Sequence, residues 1–284
     1  VSRTLFFVGA HPDDETFGVG GTLAYYAAAG VKVYYLCGTR GEVGVADPDF
    51  LKGHASVGDM RWAELECAGK ILGLSGVIHL GFRDSGMPGS EDNTHPQALA
   101  AAPTEEVAGR IVKIMRELQP QVVITFDPIG GYRHPDHIAI HQAAVMAFSA
   151  AGDAQKYPAA GPAYQPQKLY FSIFPRGALK FLVRLMGLIG RNPRKFGRNK
   201  DIDLTLLTNV DFPVHATLKL DRQAAQKRDK ARACHASQLT GGGPPGGLFM
   251  RAMNYFVGQR DLFMRAYPPP GGAKEKDLFA GVRE

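Results

Sequence analysis

Two clusters in the 284-residue chain combine residue types that bind metal ions and move protons. The first is Ala10-His11-Pro12-Asp13-Asp14-Glu15. One imidazole and three carboxylates in so short a stretch are unfavourable to bury unless a cation lies among them. Zinc accepts histidine nitrogen and aspartate oxygen at about 2.0–2.2 Å. Read alone, the segment is also an ordinary helix start, with Asp13 or Asp14 as the N-cap and His11 as a loop residue. The second cluster is Asp127-Pro128-Ile129-Gly130-Gly131-Tyr132-Arg133-His134-Pro135-Asp136-His137, with His141 one helical turn further on. Three of the nine histidines fall here, too dense a grouping to pass over. His137 and His141 are four apart and share a helix face. By itself, though, His141 on a mostly apolar helix reads as a packed or surface residue.

Neither cluster is decisive alone. Together they offer two histidines, an aspartate and spare acid–base groups. A catalytic zinc site commonly has three protein ligands and a position open to water. The metal lowers the pKa of that water toward about 7, and a nearby carboxylate takes its proton. The chemistry on offer is metal-assisted hydrolysis.

These residues act together only if the fold brings them together. Residues 4–9, 31–37, 77–80 and 122–126 read as short buried strands. Residues 20–29, 58–72, 104–118 and 136–150 read as helices. Gly30 ends the first helix, and Thr104 caps the third with Glu105 and Glu106 in its first turn. Apolar strands alternating with helices imply an α/β, Rossmann-like fold: a mainly parallel sheet with helices on both faces. Such sheets bind ligands beyond the carboxyl ends of their strands. The loops after Gly9, Cys37, Leu80 and Phe126 are therefore expected at one edge, and both clusters with them.

The second half is less regular. Strands are expected over 168–174 and 209–214, helices over 222–237 and 248–265, and a mobile Pro/Gly-rich tail from Pro268. No repeat or clear boundary interrupts the chain. Residues 1–267 read as a single domain and 268–284 as a C-terminal tail.

Hydrophobic residues make up 45% and charged residues 21%, which suits a globular protein and excludes collagen-like or wholly disordered chains. No apolar run reaches the roughly 18 residues of a membrane-spanning helix. Cys37, Cys67 and Cys234 are few and widely spaced, which argues against a disulfide scaffold or zinc ribbon and for a reducing, cytoplasmic setting. The net charge is +6, yet residues 176–200 alone hold eight basic residues and no acidic one. The basic character is therefore local, not a nucleic-acid footprint.

The two motifs together resemble the zinc-dependent LmbE/PIG-L family of de-N-acetylases, which includes the N-acetylglucosaminyl-phosphatidylinositol deacetylase and bacterial deacetylases and amidases of mycothiol and bacillithiol metabolism. The similarity extends through Thr39-Arg40-Gly41-Glu42, Arg61 with Glu64-Leu65, Asp84-Ser85-Gly86-Met87 and Cys234-His235-Ala236-Ser237-Gln238. It spans roughly residues 4–267. The resemblance implies a hydrolase that removes the N-acetyl group of an N-acetylglucosamine-type sugar or conjugate and releases acetate. It implies His11, Asp14 and His137 as metal ligands for zinc, with ferrous iron as the other candidate. Asp13 is then the general base, His134 stabilises the oxyanion or protonates the leaving amine, and Tyr132 contacts the carbonyl oxygen. Arg61 and Asp84 hold the sugar, Glu42 lines the entrance, and Glu15 and Asp136 orient ligands. Bland readings stand beside these: Arg61 as a surface helix residue, Asp84 as a turn residue, Glu42 as a solvated loop residue. The partner is a small amino sugar; the aglycone and the oligomeric state, a homo-oligomer included, stay open.

Two rivals compete. A Rossmann-like nucleotide binder would use Gly18-Val19-Gly20-Gly21, but the third glycine of G-x-G-x-x-G is replaced by Leu23. No P-loop, H-E-x-x-H or G-x-S-x-G is present. The other rival is a module for an anionic membrane surface, built on the basic, amphipathic start of 176–200. The plainer reading of that segment is a lid or insertion over the site, or a solvated basic face.

Overall fold

The run Thr4–Gly9 is buried at all six positions and forms strand β1. Its neighbours alternate between two cores, which is what a strand covered on both faces requires. Leu5 and Phe7 pack into one core, and Phe6 and Val8 into the other. The computed structural model describes residues 2–174, 176–196, 203–239 and 259–283. The further strands are β2 (Lys32–Cys37), β3 (Gly76–His79), β4 (Val122–Phe126), β5 (Lys168–Ile173), β6 (Ala216–Lys219) and β7 (Arg260–Tyr267). The helices are α1 (Asp14–Phe17), α2 (Gly20–Ala28), α3 (Pro48–Leu51), α4 (Val57–Leu72), α5 (Thr104–Leu118), α6 (Gly130–Arg133), α7 (Pro135–Ala151), α8 (Arg176–Leu188), α9 (Leu204–Leu207), α10 (Arg222–Cys234) and α11 (Ala236–Leu239).

The seven strands form one sheet in the order β3-β2-β1-β4-β5-β7-β6. β3 through β5 pair in parallel, and β7 is antiparallel to both β5 and β6. Helices α2, α4 and α10 cover one face through Leu23, Leu65, Leu72, Ala224 and Ala231. Helices α5 and α7 cover the other through Val107, Ile111, Met115, Ile140 and Ala147. The α/β, mainly parallel architecture read from the sequence is therefore the observed one.

Several local expectations need correction. Residues 260–265, expected as the end of a helix, lie in β7; the rest of that expected helix, 248–258, falls outside the described residues. Between β5 and β6 the sheet offers open backbone pairing on both sides, and this decides for strand over helix. The strand expected over 209–214 begins instead at Ala216, where β7 is available as a partner. The segment after Pro268, expected as a mobile tail, returns to the sheet. Leu278 and Phe279 are buried in the core of the α2 face, and Glu275 receives Lys168 Nζ at 2.7 Å.

Cys67 of α4 and Cys234 at the end of α10 form a disulfide, with Cα atoms 5.9 Å apart. The cysteine spacing argues against a disulfide scaffold, yet this one bridge forms, and it removes the cysteine argument for a reducing compartment. Sequence spacing hid the pair because 167 residues separate its members. The basic segment starts as α8, with Phe181, Leu188 and Ile189 exposed along it; its last residues, 197–200, fall outside the described residues. Among the described residues, no helix is long and apolar enough to cross a membrane.

Candidate metal centre

β1 pairs with β4 in parallel, so the loops after Gly9 and Phe126 leave the sheet side by side. This adjacency closes a gap of 126 residues: His11 Nδ1 lies 3.1 Å from His137 Nε2. Three local features aim the second loop. Gly130 and Gly131 both take positive φ, 66° and 65°. A Cβ on Gly130 would sit 2.8 Å from Cβ of His137, so only glycine lets the turn close against that side chain. His134 then caps α7, its Nδ1 accepting from Asp136 N at 3.2 Å, with Pro135 in the first turn.

Asp14 does not cap a helix with its side chain. Its carboxylate folds back on the strand end, where Oδ2 accepts from Ala10 N at 3.0 Å and His11 N at 2.7 Å. Oδ1 is left 3.3 Å from His137 Nε2, and Oδ2 is 3.9 Å from His11 Nδ1. The two imidazole nitrogens stand 3.1 Å apart, and the Asp14 carboxylate reaches each with a different oxygen, Oδ1 to His137 at 3.3 Å and Oδ2 to His11 at 3.9 Å. Tetrahedral donors on zinc bonds of about 2.0–2.2 Å stand about 3.3–3.6 Å apart, so these residues fit a divalent cation. The nitrogens of His11, His134 and His137 are also near enough to hold one ion together, and His11, Asp84, His134 and Asp136 form a second such grouping.

The far side of His11 is equally specified. Its Nε2 is 3.1 Å from Asp136 Oδ2 and 3.5 Å from Asp84 Oδ1. Asp136 is fully buried and is itself held by Ser85, whose N donates to Oδ2 at 2.9 Å and whose hydroxyl donates to Oδ1. A neutral His11 therefore carries its hydrogen on Nε2 and turns the Nδ1 lone pair toward His137 and Asp14. Burial opposes a charge on His11, yet the carboxylates of Asp84, Asp136 and Asp14 raise its pKa well above the ordinary histidine value. The site draws positive charge to this point, and a divalent ion answers the same field.

Beside the donors lies Asp13, whose φ of 127° is rare for a residue with a side chain. Arg61, buried on α4, donates from Nη2 to Asp13 Oδ2 at 3.0 Å and to Pro12 O at 2.8 Å. Burial pushes Asp13 up to about 6 despite the opposing guanidinium. Burial, followed by the neighbouring His11 and His137, pushes His134 down to about 2, so this imidazole is neutral. Because its Nδ1 accepts from Asp136, its hydrogen is on Nε2. Burial likewise holds the Tyr132 phenol well above its ordinary value, so it keeps its hydrogen.

A cavity of about 580 Å³ opens over these groups, lined by His11, Asp13, Asp14, Arg61, Asp84, Tyr132, His134 and His137. Eight of the nine expected site residues therefore meet there. Glu42 is the exception: its Oε2 instead accepts from Asp84 N at 3.0 Å, so it braces a wall from behind. Arg61 reaches the cavity, but its guanidinium is already bonded to Asp13, Pro12 and Gly41. His141 bonds Phe126 O at 2.8 Å, the packed reading. Residues that sequence reasoning passed over include Ser85, which positions Asp136, and the apolar rim of Phe17, Val43, Val45, Met87 and Phe174. Ser85 and Met87 both belong to the Asp84-Ser85-Gly86-Met87 motif, whereas Phe17, Val43, Val45 and Phe174 carry no local signal.

Comparison with known proteins agrees with this geometry. Residues 6–148 match the family described as PIG-L, GlcNAc-PI de-N-acetylase. The chain is 36% identical to a 1D-myo-inositol 2-acetamido-2-deoxy-alpha-D-glucopyranoside deacetylase of Geodermatophilus obscurus, over 99% of this chain and 98% of that one. It is 35% identical to the protein of the same description from Rhodococcus jostii, again over 99% and 98%. Among solved structures, a conserved protein from Thermus thermophilus superposes with a TM-score of 0.62 at 26% identity, covering 94% of this chain and 96% of that one. The N,N'-diacetylchitobiose deacetylase of Pyrococcus horikoshii shares the fold, with a TM-score of 0.61 at 19% identity over 99% and 86% of the two chains. The strand-end histidines, the aspartates between them and the match across half the chain give one conclusion: this chain belongs to the PIG-L family of de-N-acetylases.

Proposed function

We propose that the protein hydrolyses the acetamide of an N-acetylglucosamine-type sugar or conjugate, using a divalent metal, zinc or ferrous iron, held by His11, Asp14 and His137. The observation that carries this reading is the convergence of His11 Nδ1, His137 Nε2 and the Asp14 carboxylate beside Asp13 in one open cavity. The described relatives, named as GlcNAc-inositol deacetylases, make that conjugate the first substrate to test. The ion, when bound, supplies Lewis acidity to the acetamide carbonyl and to water.

The chain's own residues do the rest. Asp13, raised to about 6, takes the proton of the attacking water. Neutral His134 presents Nε2–H, and Tyr132 its hydroxyl, to the oxygen on which negative charge grows. One such donor is worth about 3–4 kcal/mol in studied enzymes. His134 is bonded through Nδ1 to Asp136 N, which favours the donor role over that of proton source. Asp13 then returns its proton to the nitrogen as the C–N bond breaks, and the carboxylic acid formed passes its own proton on, leaving acetate and the protonated amine. Arg61 holds Asp13, and Asp84 steadies His11 while forming part of the wall that receives the sugar. The segment after Pro268 belongs to the same catalytic domain in this reading, since Leu278 and Phe279 complete its core, and α8, which starts two residues after the rim residue Phe174, is its lid.

The test is acetate release from GlcNAc-inositol and other N-acetylglucosaminides, by chelated and metal-reconstituted protein. Activity is expected to vanish on chelation and return with the metal. Asp13→Asn is expected to keep the metal and lose at least about a hundredfold in kcat. Near-normal turnover in that variant removes Asp13 from its role, and no acetate from any N-acetylglucosaminide removes the substrate class.

A further inference from the structure

Asp13 holds a backbone conformation that side-chain-bearing residues avoid, and it is held there from two sides. Arg61 takes the carboxylate. The amide takes the other hold: Asp13 N donates to Glu15 Oε2 at 2.9 Å. A surface glutamate would make that bond fleetingly, but Glu15 is fully buried and pinned. Its other oxygen, Oε1, receives Thr16 Oγ1 at 2.5 Å and Nε2 of His235 at 2.7 Å. His235 is also fully buried, and it comes from 220 residues away in the chain.

The two holds are tied to each other. Arg61 is on α4, and His235 comes directly after α10. The Cys67–Cys234 disulfide joins those helices one residue before His235. Glu64 of α4 joins them again just beyond it, accepting from Ser237 N and Ser237 Oγ, both at 2.8 Å. The chain thus fixes both grips on Asp13 in one frame, outside the loop that Asp13 belongs to.

We infer that His235 is a positioning residue for Asp13: acting through Glu15, it holds the Asp13 backbone in the conformation that aims its carboxylate at the reacting water. This deepens the proposed hydrolase and rests on Asp13 being its base. Without the His235 donor, a buried carboxylate loses a charge-assisted bond, so Glu15 turns away and the Asp13 amide is released. The residue at 13 then relaxes toward negative φ, and the carboxylate swings off its line. His235 is fully buried and is not part of the cavity lining, so its loss lowers turnover while leaving binding in place.

The experiment compares His235→Phe, which keeps a ring and removes the donor, with His235→Gln, whose amide reaches Glu15, and His235→Asn, whose amide falls short. Crystal structures of the metal-free variants give φ at Asp13, and kinetics on GlcNAc-inositol give kcat and KM. In His235→Phe and His235→Asn, φ at Asp13 is expected to turn negative. Their kcat is expected to drop about ten- to a hundredfold, the usual range for an orienting partner, with KM within about threefold and metal content unchanged. In His235→Gln, φ stays positive and kcat recovers to within about threefold of wild type. If His235→Phe does not fold, the Asn and Gln pair decides. Asp13 unmoved in His235→Asn, or equal kcat in the Asn and Gln variants, overturns the inference. A relaxed Asp13 in a protein that deacetylates no sugar leaves the positioning intact and removes the hydrolase reading instead.

Discussion

Asp136 Oδ2 stands 3.1 Å from Nε2 of His11, on the side of the ring opposite His137. A carboxylate behind a histidine fixes which nitrogen has the free lone pair and makes it more basic. Asp136→Asn keeps the shape and removes the charge. Its divalent-metal affinity is expected to fall about tenfold or more, with the fold intact. Calorimetric titration of the metal-free protein with zinc checks this, and unchanged affinity would show that Asp136 only supports Ser85.

Arg116 is a buried cation bound by carbonyls rather than by a carboxylate in the described contacts. Its guanidinium donates to the carbonyl oxygens of Ala150, Ala151, Asp153, Lys156, Tyr157 and Gly161. It thereby closes the end of α7, where helical carbonyls lack partners, and gathers the loop beyond it. Lysine has one ammonium and cannot span this fork. Arg116→Lys is expected to destabilise the protein by about 3 kcal/mol, read from urea denaturation, with metal affinity of the folded protein unchanged.

Glu275 ties the C-terminal segment to the sheet. Its Oε1 receives Lys168 Nζ at 2.7 Å and Arg265 Nη1 at 2.6 Å, and its Oε2 receives the Tyr170 hydroxyl at 2.5 Å. Burial alone would raise its pKa, but the bonds from Lys168 and Tyr170 hold it below the ordinary glutamate value. A carboxyl depressed in the folded state contributes its full stability above its unfolded pKa, about 4.3, and loses it as pH falls through the folded value. The melting temperature of wild type should therefore drop more steeply below about pH 4.3 than that of Glu275→Gln. Parallel slopes for the two proteins would contradict this.

The Cys67–Cys234 bridge closes a loop of 167 residues between two packed helices. Constraint of the unfolded chain by such a bridge is typically worth about 2–4 kcal/mol. Cys67→Ser is expected to lower stability by that amount under non-reducing conditions, and a reductant should bring wild type down to the same level. Peptide mapping without reductant should recover the Cys67–Cys234 pair and a free Cys37, which is buried.

Range in the chain separates the features that were readable before folding from those that were not. The strand-then-cluster pattern at Gly9 and again at Phe126 made both halves of the centre visible, because a buried parallel strand delivers the residues after it to the carboxyl edge. The alternation of strands and helices over the first 150 residues placed the sheet for the same reason: periodicity is a local property. The sequence by itself thus determined the fold class and the two loops rich in histidine and carboxylate; Arg61 and Asp84, expected only through the family resemblance, line the same cavity. Tertiary structure alone decided which distant groups meet. The bond from His235 to Glu15, the grip of Arg61 on Asp13, the Cys67–Cys234 bridge and the insertion of β7 between β5 and β6 each join residues far apart in the chain. No spacing rule encodes such pairings, because they depend on which faces the sheet order brings into contact.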